Sequence, residues 1–244
     1  MRMPTAGVSA VLVGVLLTGC VSAHSPAPAR TPAVHLAQAE QSAPPPLAAT
    51  PTMPGYVGRI DLQWAQTTAD ATGIPLRAVL AYAGAAIRVA EVYPECGLGW
   101  NTLAGIGLVE SDHGSHGGSH IGADFAVTPP IYGVILDGGD TANIPDTDGG
   151  AVDGNAEFDR AVGPMQLIPS TWASWPSDGN GDNIPDPQNI ADAAIAAGNH
   201  LCRAVAGPVT TVEGWRAGIA AYNAGSDYFD AVTTAAQRYH DAAG

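Results

Sequence analysis

An alanine-rich helical periodicity constrains the fold of this chain more than any other feature. It begins near Gly55, and separate helical segments are expected to start near Pro75, Asn101 and Asn189. Proline suits the first turn of a helix, and asparagine is a typical N-cap. Residues 114–160 are rich in Gly, Asp and Pro and show no clear period, which predicts a long loop with short turns. The sequence therefore predicts a mainly α domain with long irregular Gly- and Asp-rich loops.

The charge balance excludes one large class of partner. The chain has 23 acidic residues against 9 lysines and arginines, a formal net charge of -14 over 244 residues. A nucleic-acid backbone requires a basic surface, so nucleic acid is not an expected partner. Hydrophobic residues make up 46% and charged residues 13%, which favours a compact folded domain over a disordered chain.

The N-terminus carries a targeting pattern. Arg2 precedes an apolar run over residues 6–17 that is too short to span a membrane but suits the core of a signal peptide. The run is followed by Leu-Thr-Gly-Cys, which is similar to a bacterial lipobox. We therefore expect residues 1–19 to be a lipoprotein signal peptide and Cys20 to be the lipidated first residue of the mature protein. Ordinary cleavage at a later alanine is the alternative.

Composition then divides the rest of the chain in two. Residues 20–54 are rich in Pro, Ala and Ser, with little hydrophobic periodicity, and predict a semi-extended tether. Residues 55–244 form the predicted folded domain. A lipid anchor followed by a tether predicts an exported protein of the cell envelope, held at the outer face of the cell membrane.

The cysteines fit this interpretation. The chain has 3 cysteines, which would leave an unpaired thiol in an exported protein. If Cys20 is the anchor, Cys96 and Cys202 remain as a pair, and outside the cytoplasm such a pair is expected to be a disulfide. Two unrelated buried thiols are the alternative.

Glu110 occupies a position where a helix would normally bury an apolar side chain. Leu103, Ile106 and Glu110 fall on one face of the predicted helix. A carboxyl group in an apolar pocket has a raised pKa, so it can serve as a general acid near neutral pH. A solvated or salt-bridged glutamate at a helix end is the alternative. Asp112 points off this face and is a poor candidate for a second carboxylate.

Four short stretches resemble, in order and spacing, a family of cell-wall enzymes. They are VES (109–111), AVGPMQLIPSTW (161–172), DGNGDNIPDPQNIADA (178–193) and AAYNAG (220–225). Together they are similar to lytic transglycosylases, particularly the membrane-bound type-B branch and its actinobacterial relatives. The resemblance covers roughly residues 90–240 and implies a lysozyme-like fold.

The resemblance also implies a reaction and a substrate. In lytic transglycosylases one glutamate, here Glu110, acts first as acid and then as base on the MurNAc–GlcNAc bond of peptidoglycan. The 6-hydroxyl of the muramic acid closes on the anomeric carbon, which leaves a 1,6-anhydromuramyl end and consumes no water. A hydrolytic muramidase on the same fold, a non-catalytic peptidoglycan-binding lipoprotein and a calcium-binding scaffold are the alternatives.

Five further residues are expected to contact the glycan. Gln166 is the predicted hydrogen-bonding residue of the GPMQ turn, and Met165 is either a cleft wall or a packing residue. Tyr222 and Asn223 are assigned to the cleft by resemblance, although they could also simply end a helix before a glycine cap. Of the tryptophans, Trp172 or Trp175 is the expected sugar-stacking residue.

A calcium ion is expected to brace the loop of residues 178–189. Oxygen-bearing groups recur at EF-hand spacing, with a backbone carbonyl in the seventh position: Asp178, Asn180, Asp182, Ile184 and Asp186. Asn183 replaces the usual turn glycine, and Asn tolerates the left-handed conformation needed there. Asn189 replaces the bidentate glutamate, a loss for which Asp192 could compensate. A hydrophilic loop without an ion is the alternative, and no organic cofactor is expected.

Two other groups of titratable residues are expected at the surface. Three histidines lie on a Gly-Ser loop without the spacing of a metal site: His113, His116 and His120. A second acidic run is expected to be a solvated loop, with a local ion pair between its last aspartate and Arg160: Asp146, Asp148, Asp153 and Asp159. The whole protein is expected to be a monomer whose partners are peptidoglycan strands and, through its anchor, the membrane.

Overall fold

A computed structural model describes residues 36–243 of the chain. These residues belong to one compact unit, His35–Gly244. The predicted signal peptide, the predicted lipidation site Cys20 and the first part of the predicted tether lie outside the described residues.

The described part of the chain is mainly helical, as predicted. Its seven α-helices are α1 (Leu62–Thr72), α2 (Leu76–Val92), α3 (Trp100–Ser111), α4 (Pro169–Ser174), α5 (Ile190–Ala204), α6 (Val212–Tyr222) and α7 (Ser226–Ala243). Short 3-10 helices cover Val57–Arg59 and His116–Gly118. Pro75 immediately precedes α2, and the Asn189 side chain caps α5 by accepting a hydrogen bond from the Ala191 amide at 3.0 Å. Both predicted helix starts are therefore confirmed.

The long loop between α3 and α4 contains four short strands that the sequence did not indicate. They are β1 (His120–Ile121), β2 (Val127–Thr128), β3 (Tyr132–Ile135) and β4 (Arg160–Val162). They form two separate two-stranded antiparallel sheets, β1 with β2 and β3 with β4. Strands of two to four residues are too short to show an alternating pattern, which explains why sequence periodicity missed them.

The core lies between α2, α5, α3 and α7. Helix α2 packs on α5 and α3, and α3 packs on α7. Tyr82, Trp100 and Ile106 are among its fully buried side chains. Gly105 permits the close approach of α3 to α7, because a side chain there would begin 3.0 Å from the Ala236 backbone nitrogen. This packing fixes the C-terminal end of α3, where Glu110 lies.

Helix α2 is apolar because it is the central core helix. Within residues 36–243, no single helix is long and apolar enough to cross a membrane, although α1 and α2 together, bent by 118°, reach that length and composition. Most residues of α2 from Ala78 to Val89 are buried inside the protein.

Cys96 and Cys202 form the predicted disulfide. Their Cα atoms are 5.6 Å apart, and the bond joins the turn before α3 to the last turn of α5. The disulfide therefore links the segment that leads into α3, the helix that carries Glu110, to α5.

The predicted tether is not free over its second half. The Asn101 side chain accepts a hydrogen bond from the Ser42 amide at 2.9 Å and donates one to the Glu40 carbonyl at 2.8 Å. Ala39 is fully buried, and Leu47 pairs with Ile60 in an isolated antiparallel bridge. A Pro- and Ala-rich composition indicates extended chain, but it does not reveal that this chain finds hydrogen-bonding partners on α3. The folded unit therefore begins well before Gly55.

Candidate active site

Glu110 lies in the last turn of α3, at the end of the predicted apolar stripe. Leu103 and Ile106 on the same helix are completely buried, and Glu110 itself is half-buried. The hydroxyl of Tyr228, in α7, donates a short hydrogen bond of 2.5 Å to Glu110 Oε1. The carboxyl group is thus held between two packed helices by a single neutral donor.

The surroundings of Glu110 favour its protonated form. Burial raises the pKa of this carboxyl to about 7, and the hydrogen bond from Tyr228 opposes the shift only in part. Ion pairs among the described residues join Arg59 to Glu91 and His240 to Glu40, and Glu110 has none. Of the two interpretations of Glu110 given above, the structure supports a carboxyl group in a partly buried pocket and not a salt-bridged glutamate.

Two stacked tyrosines connect Glu110 to the GPMQ turn. The rings of Tyr222 and Tyr228 are nearly parallel, 8° apart in angle with centroids separated by 6.5 Å. The Tyr222 hydroxyl donates a 2.6 Å hydrogen bond to the Met165 carbonyl oxygen. Burial holds the pKa of Tyr222 well above its usual value, so its hydroxyl remains a neutral donor. Residues from three of the recognised sequence stretches therefore meet at one place.

The GPMQ turn depends on residues that accept left-handed backbone. Gly163 has φ 74°, and a side chain there would begin 1.8 Å from the Pro187 carbonyl oxygen, so only glycine fits. Gln166 also has a positive φ of 46°, and its side-chain amide donates to the Gly163 carbonyl at 2.9 Å. This geometry holds the Gln166 side chain at the edge of the turn.

A cavity of about 210 Å³, here called the Tyr222 cavity, adjoins these groups. Its wall includes Gln166, Thr171, His200 and Tyr222. The His200 ring packs edge-on against Tyr222 with centroids 5.9 Å apart. Gln166 and Tyr222, two of the predicted glycan contacts, are thus brought together.

Asn223 lies apart from the Tyr222 cavity. It lines a different depression of about 460 Å³, together with Arg216 and Phe229. Its side-chain oxygen accepts a hydrogen bond from the Gly225 amide at 2.9 Å, which stabilises the turn between α6 and α7. The structure supports the turn-forming alternative for this residue.

Two predicted contacts belong to the core. Met165 is completely buried and Trp172 is 6% exposed, so neither side chain presents a surface to a ligand. The packing alternative therefore applies to Met165, which contributes to the site through its backbone carbonyl. Trp175, the other tryptophan considered, is half-buried and faces a separate cavity.

Asp112 does not supply a second carboxylate to Glu110. It is exposed, adopts a left-handed conformation with φ 50° at the end of α3, and accepts a hydrogen bond from the Ser115 hydroxyl at 2.8 Å. It forms the left-handed cap that ends α3, and the prediction that it is a poor second carboxylate agrees with this position.

The surface prediction is wrong for His113. This histidine is 4% exposed, with Nδ1 3.1 Å from the Tyr82 hydroxyl and Nε2 2.8 Å from the Tyr239 hydroxyl. Burial lowers the pKa of its imidazole to about 4, so the ring is neutral near pH 7. His116 and His120 are exposed, as predicted. A Gly-Ser loop predicts an exposed histidine, but here the start of the loop packs between α2 and α7, where His113 contacts Tyr82 and Tyr239.

Two aspartates of the second acidic run are not solvated, although most of the loop that carries them is exposed or half-buried. Asp153 and Asp159 are completely buried, and Asp159 accepts hydrogen bonds from the amide and hydroxyl of Thr147 at 2.9 and 2.7 Å. The expected Asp159–Arg160 ion pair is not formed within the described residues. Arg160 instead donates to the Asp153 carbonyl and lies 4.3 Å from the centre of the Tyr132 ring. These aspartates organise backbone turns.

One group of carboxylates in the described residues has oxygens within 4.8 Å of one another, namely Asp146, Asp148 and Asp159. The calcium loop does not show this convergence. There Asp178 accepts hydrogen bonds from the Gly181 and Asn183 amides, at 2.7 and 2.9 Å. Calcium binding by the loop therefore stays a prediction, and no chemical step is assigned to a metal.

A buried carboxylate braces the same loop. Asp192 is completely buried in α5 and accepts hydrogen bonds from the amides of Gly179 and Asp186, at 2.6 and 3.0 Å. Asn183 has φ 67°, which confirms the left-handed conformation expected at the position of the usual glycine. Asn189 caps α5 and donates to the Asp124 carbonyl at 2.9 Å, so its side chain is used within the fold.

Two residues of the site were missed by sequence reasoning. Tyr228 and His200 lie on helices whose aromatic and polar residues follow no motif, and only the folding of α5, α6 and α7 brings them to Glu110 and Tyr222. No protein-family model, curated protein or solved structure matches the chain. A carboxyl group with a pKa of about 7 can give a proton to a neighbouring group near neutral pH and later take one back.

Proposed function

We propose that the protein is a peptidoglycan lytic transglycosylase that cleaves the β-1,4 bond between MurNAc and GlcNAc. The observation that carries this proposal is the environment of Glu110. Its carboxyl group is half-buried, unpaired with any cation among the described residues, and keeps its proton up to a pH of about 7. That is the property a general acid needs at neutral pH.

The reaction requires one carboxyl group acting twice. Protonated Glu110 gives its proton to the glycosidic oxygen, and the C1–O bond of the muramic acid breaks as GlcNAc leaves. The ionised Glu110 then takes the proton of the muramic 6-hydroxyl while that oxygen forms a bond to C1. Glu110 ends protonated, no water is consumed, and the product carries a 1,6-anhydro ring.

The other residues of the site position the acid and the sugar. The Tyr228 hydroxyl fixes the carboxyl group and stabilises its ionised form after the first proton transfer. Gln166, His200 and Tyr222 line the neighbouring cavity with hydrogen-bonding groups suited to a sugar ring.

A hydrolytic muramidase is the nearest alternative. Glycosidases of that kind usually employ two carboxylates flanking the bond. The nearest acidic residue in sequence, Asp112, is exposed and serves to end α3. This arrangement supports intramolecular attack by the substrate over attack by water.

A non-catalytic binding lipoprotein is less well supported. Keeping an acid half-buried without a charged partner destabilises the fold when that acid is ionised, and a binding protein gains nothing from it. The envelope location remains part of the proposal, with Cys20 as the lipid anchor. The Cys96–Cys202 disulfide supports an oxidising compartment.

Digestion of purified peptidoglycan in ¹⁸O-labelled water tests the proposal. The full-length chain is expected to release 1,6-anhydromuropeptides that contain no ¹⁸O, because no water enters the reaction. Reducing-end muropeptides labelled with ¹⁸O would identify a muramidase instead. Peptidoglycan that is bound but left intact would identify a binding protein.

A further inference from the structure

A second, polar cavity lies at the junction of α2, α4 and α5. It has a volume of about 320 Å³, and we call it the Trp175 cavity. The residues that line it include Arg88, Trp175, Asp178 and Asn199. None of these side chains has a role in the chemistry at Glu110.

The side chains of this cavity suit a carbohydrate. Trp175 is half-buried and offers part of an aromatic face, on which the apolar face of a sugar ring can stack. The Asn199 amide has no hydrogen-bond partner among the described residues, so its donor and acceptor groups are available to hydroxyl or acetamido groups. Two backbone amides hold the Asp178 carboxylate in place as a fixed acceptor.

The Trp175 cavity lies beside the Tyr222 cavity. Thr171 lines the Tyr222 cavity, and Ser174, three residues further on in α4 and on the same side of that helix, lines the Trp175 cavity. On α5 the neighbouring residues His200 and Asn199 line the Tyr222 and Trp175 cavities respectively. The two cavities therefore adjoin the same parts of α4 and α5, so that a sufficiently long chain molecule can contact both.

We propose that the Trp175 cavity is a distal subsite that binds an N-acetylated sugar of the same glycan strand, remote from the bond that is cut. This inference rests on the proposed function, because it takes the substrate to be a β-1,4-linked amino-sugar polymer. Short oligosaccharides that fill only the region around Glu110 do not reach the distal subsite, whereas long ones do.

The test measures binding of N-acetylglucosamine oligomers by calorimetry. The full-length chain carrying Glu110→Gln is titrated with the dimer and with the hexamer, with and without Trp175→Leu. Loss of the stacking ring is expected to weaken hexamer binding about tenfold and to leave dimer binding unchanged. Trp64→Leu is the matched control, since Trp64 is also half-buried but packs against Trp100 on α3.

A second variant separates recognition from folding. Asn199→Asp keeps the size of the side chain and removes its donor, so it is expected to weaken hexamer binding while the melting temperature changes little. Unchanged hexamer binding in both variants overturns the distal subsite, even if peptidoglycan digestion yields anhydro ends. Trp175-dependent hexamer binding without any peptidoglycan cleavage supports the sugar site and overturns the proposed function.

Discussion

Glu110 is a single residue whose protonation changes the stability of the fold. Its carboxyl binds a proton more tightly in the folded state, where its pKa is about 7, than in the unfolded chain, where it is near 4.5. The stabilisation from this group is therefore fully present below pH 4.5 and is lost as the pH rises through 7. The shift corresponds to about 3 kcal/mol in the free energy of unfolding. The proposed catalytic role explains why a partly buried acid without a cationic partner occupies this helix end.

Tyr228 influences the pH at which Glu110 loses its proton. Its hydrogen bond favours the carboxylate, so Tyr228→Phe is expected to raise the pKa of Glu110 further. The alkaline limb of the pH–activity profile on peptidoglycan should then move to higher pH, while maximal turnover falls about tenfold or more. Tyr222→Phe is the matched control, because Tyr222 donates to the Met165 carbonyl and not to Glu110. A downward shift of the alkaline limb in Tyr228→Phe would contradict this role.

His113 makes the fold sensitive to acid. Its folded pKa is about 4 against an ordinary value of 6.5, so the unfolded chain binds a proton first as the pH falls. The stability that His113 contributes is complete above pH 6.5 and declines by up to about 3 kcal/mol towards pH 4. Chemical denaturation at a series of pH values should show a shallower decline over this range in His113→Gln.

His120→Gln provides the control for that experiment, since His120 is exposed. It should leave the pH dependence as it is in the unaltered chain. If His113→Gln and the unaltered chain lose stability in parallel between pH 6.5 and 4, the imidazole between Tyr82 and Tyr239 is not the responsible group.

At the scale of elements, the disulfide holds α3 and α5 on either side of the core. It closes a loop of 106 residues, and a cross-link over a loop of that length raises the free energy of unfolding of the protein by about 4 kcal/mol. Cys96→Ser with Cys202→Ser is expected to lower the free energy of unfolding by about that amount, measured by denaturant titration. Cys20→Ser should have no such effect. Equal stabilities for the double variant and the unaltered chain would show that the bond is dispensable.

The loop between α4 and α5 illustrates how a side chain from a neighbouring helix can hold a turn. The spacing of oxygen-bearing residues correctly indicated a turn with Asn183 in a left-handed conformation. It did not indicate that Asp192 would reach back from α5 and accept the amides of Gly179 and Asp186. A side chain outside the repeating pattern thus accepts hydrogen bonds from backbone N–H groups of the loop, which are groups that a cation does not bind.

For the whole molecule, the sequence predicted what depends on local pattern. The helices around Pro75 and Asn189 and the disulfide follow from periodicity, capping and cysteine counting, and the structure confirms them. The apolar stripe leading to Glu110 was visible for the same reason. Each of these features is decided by residues close together in the chain or by a small number of cysteines.

What the sequence could not predict depends on packing between distant segments. Tyr228 meets Glu110 across 118 residues, and Asn101 binds the segment around Glu40 and Ser42 across about 60. Nothing local distinguishes His113, which is buried, from His120, which is exposed. Met165 and Trp172 were assigned to the ligand because they lie within a motif, while the fold uses their bulk in the core.

We propose that Glu110 alone carries out both proton transfers, and one comparison tests this most directly. Purified peptidoglycan is digested by the full-length chain, by Glu110→Gln and by the matched control Asp112→Asn, and the muropeptides are identified by mass spectrometry. Anhydro ends are expected from the unaltered chain and from Asp112→Asn, and none from a Glu110→Gln protein that melts at or above the same temperature. Anhydro ends from Glu110→Gln, or their loss in Asp112→Asn, would contradict it.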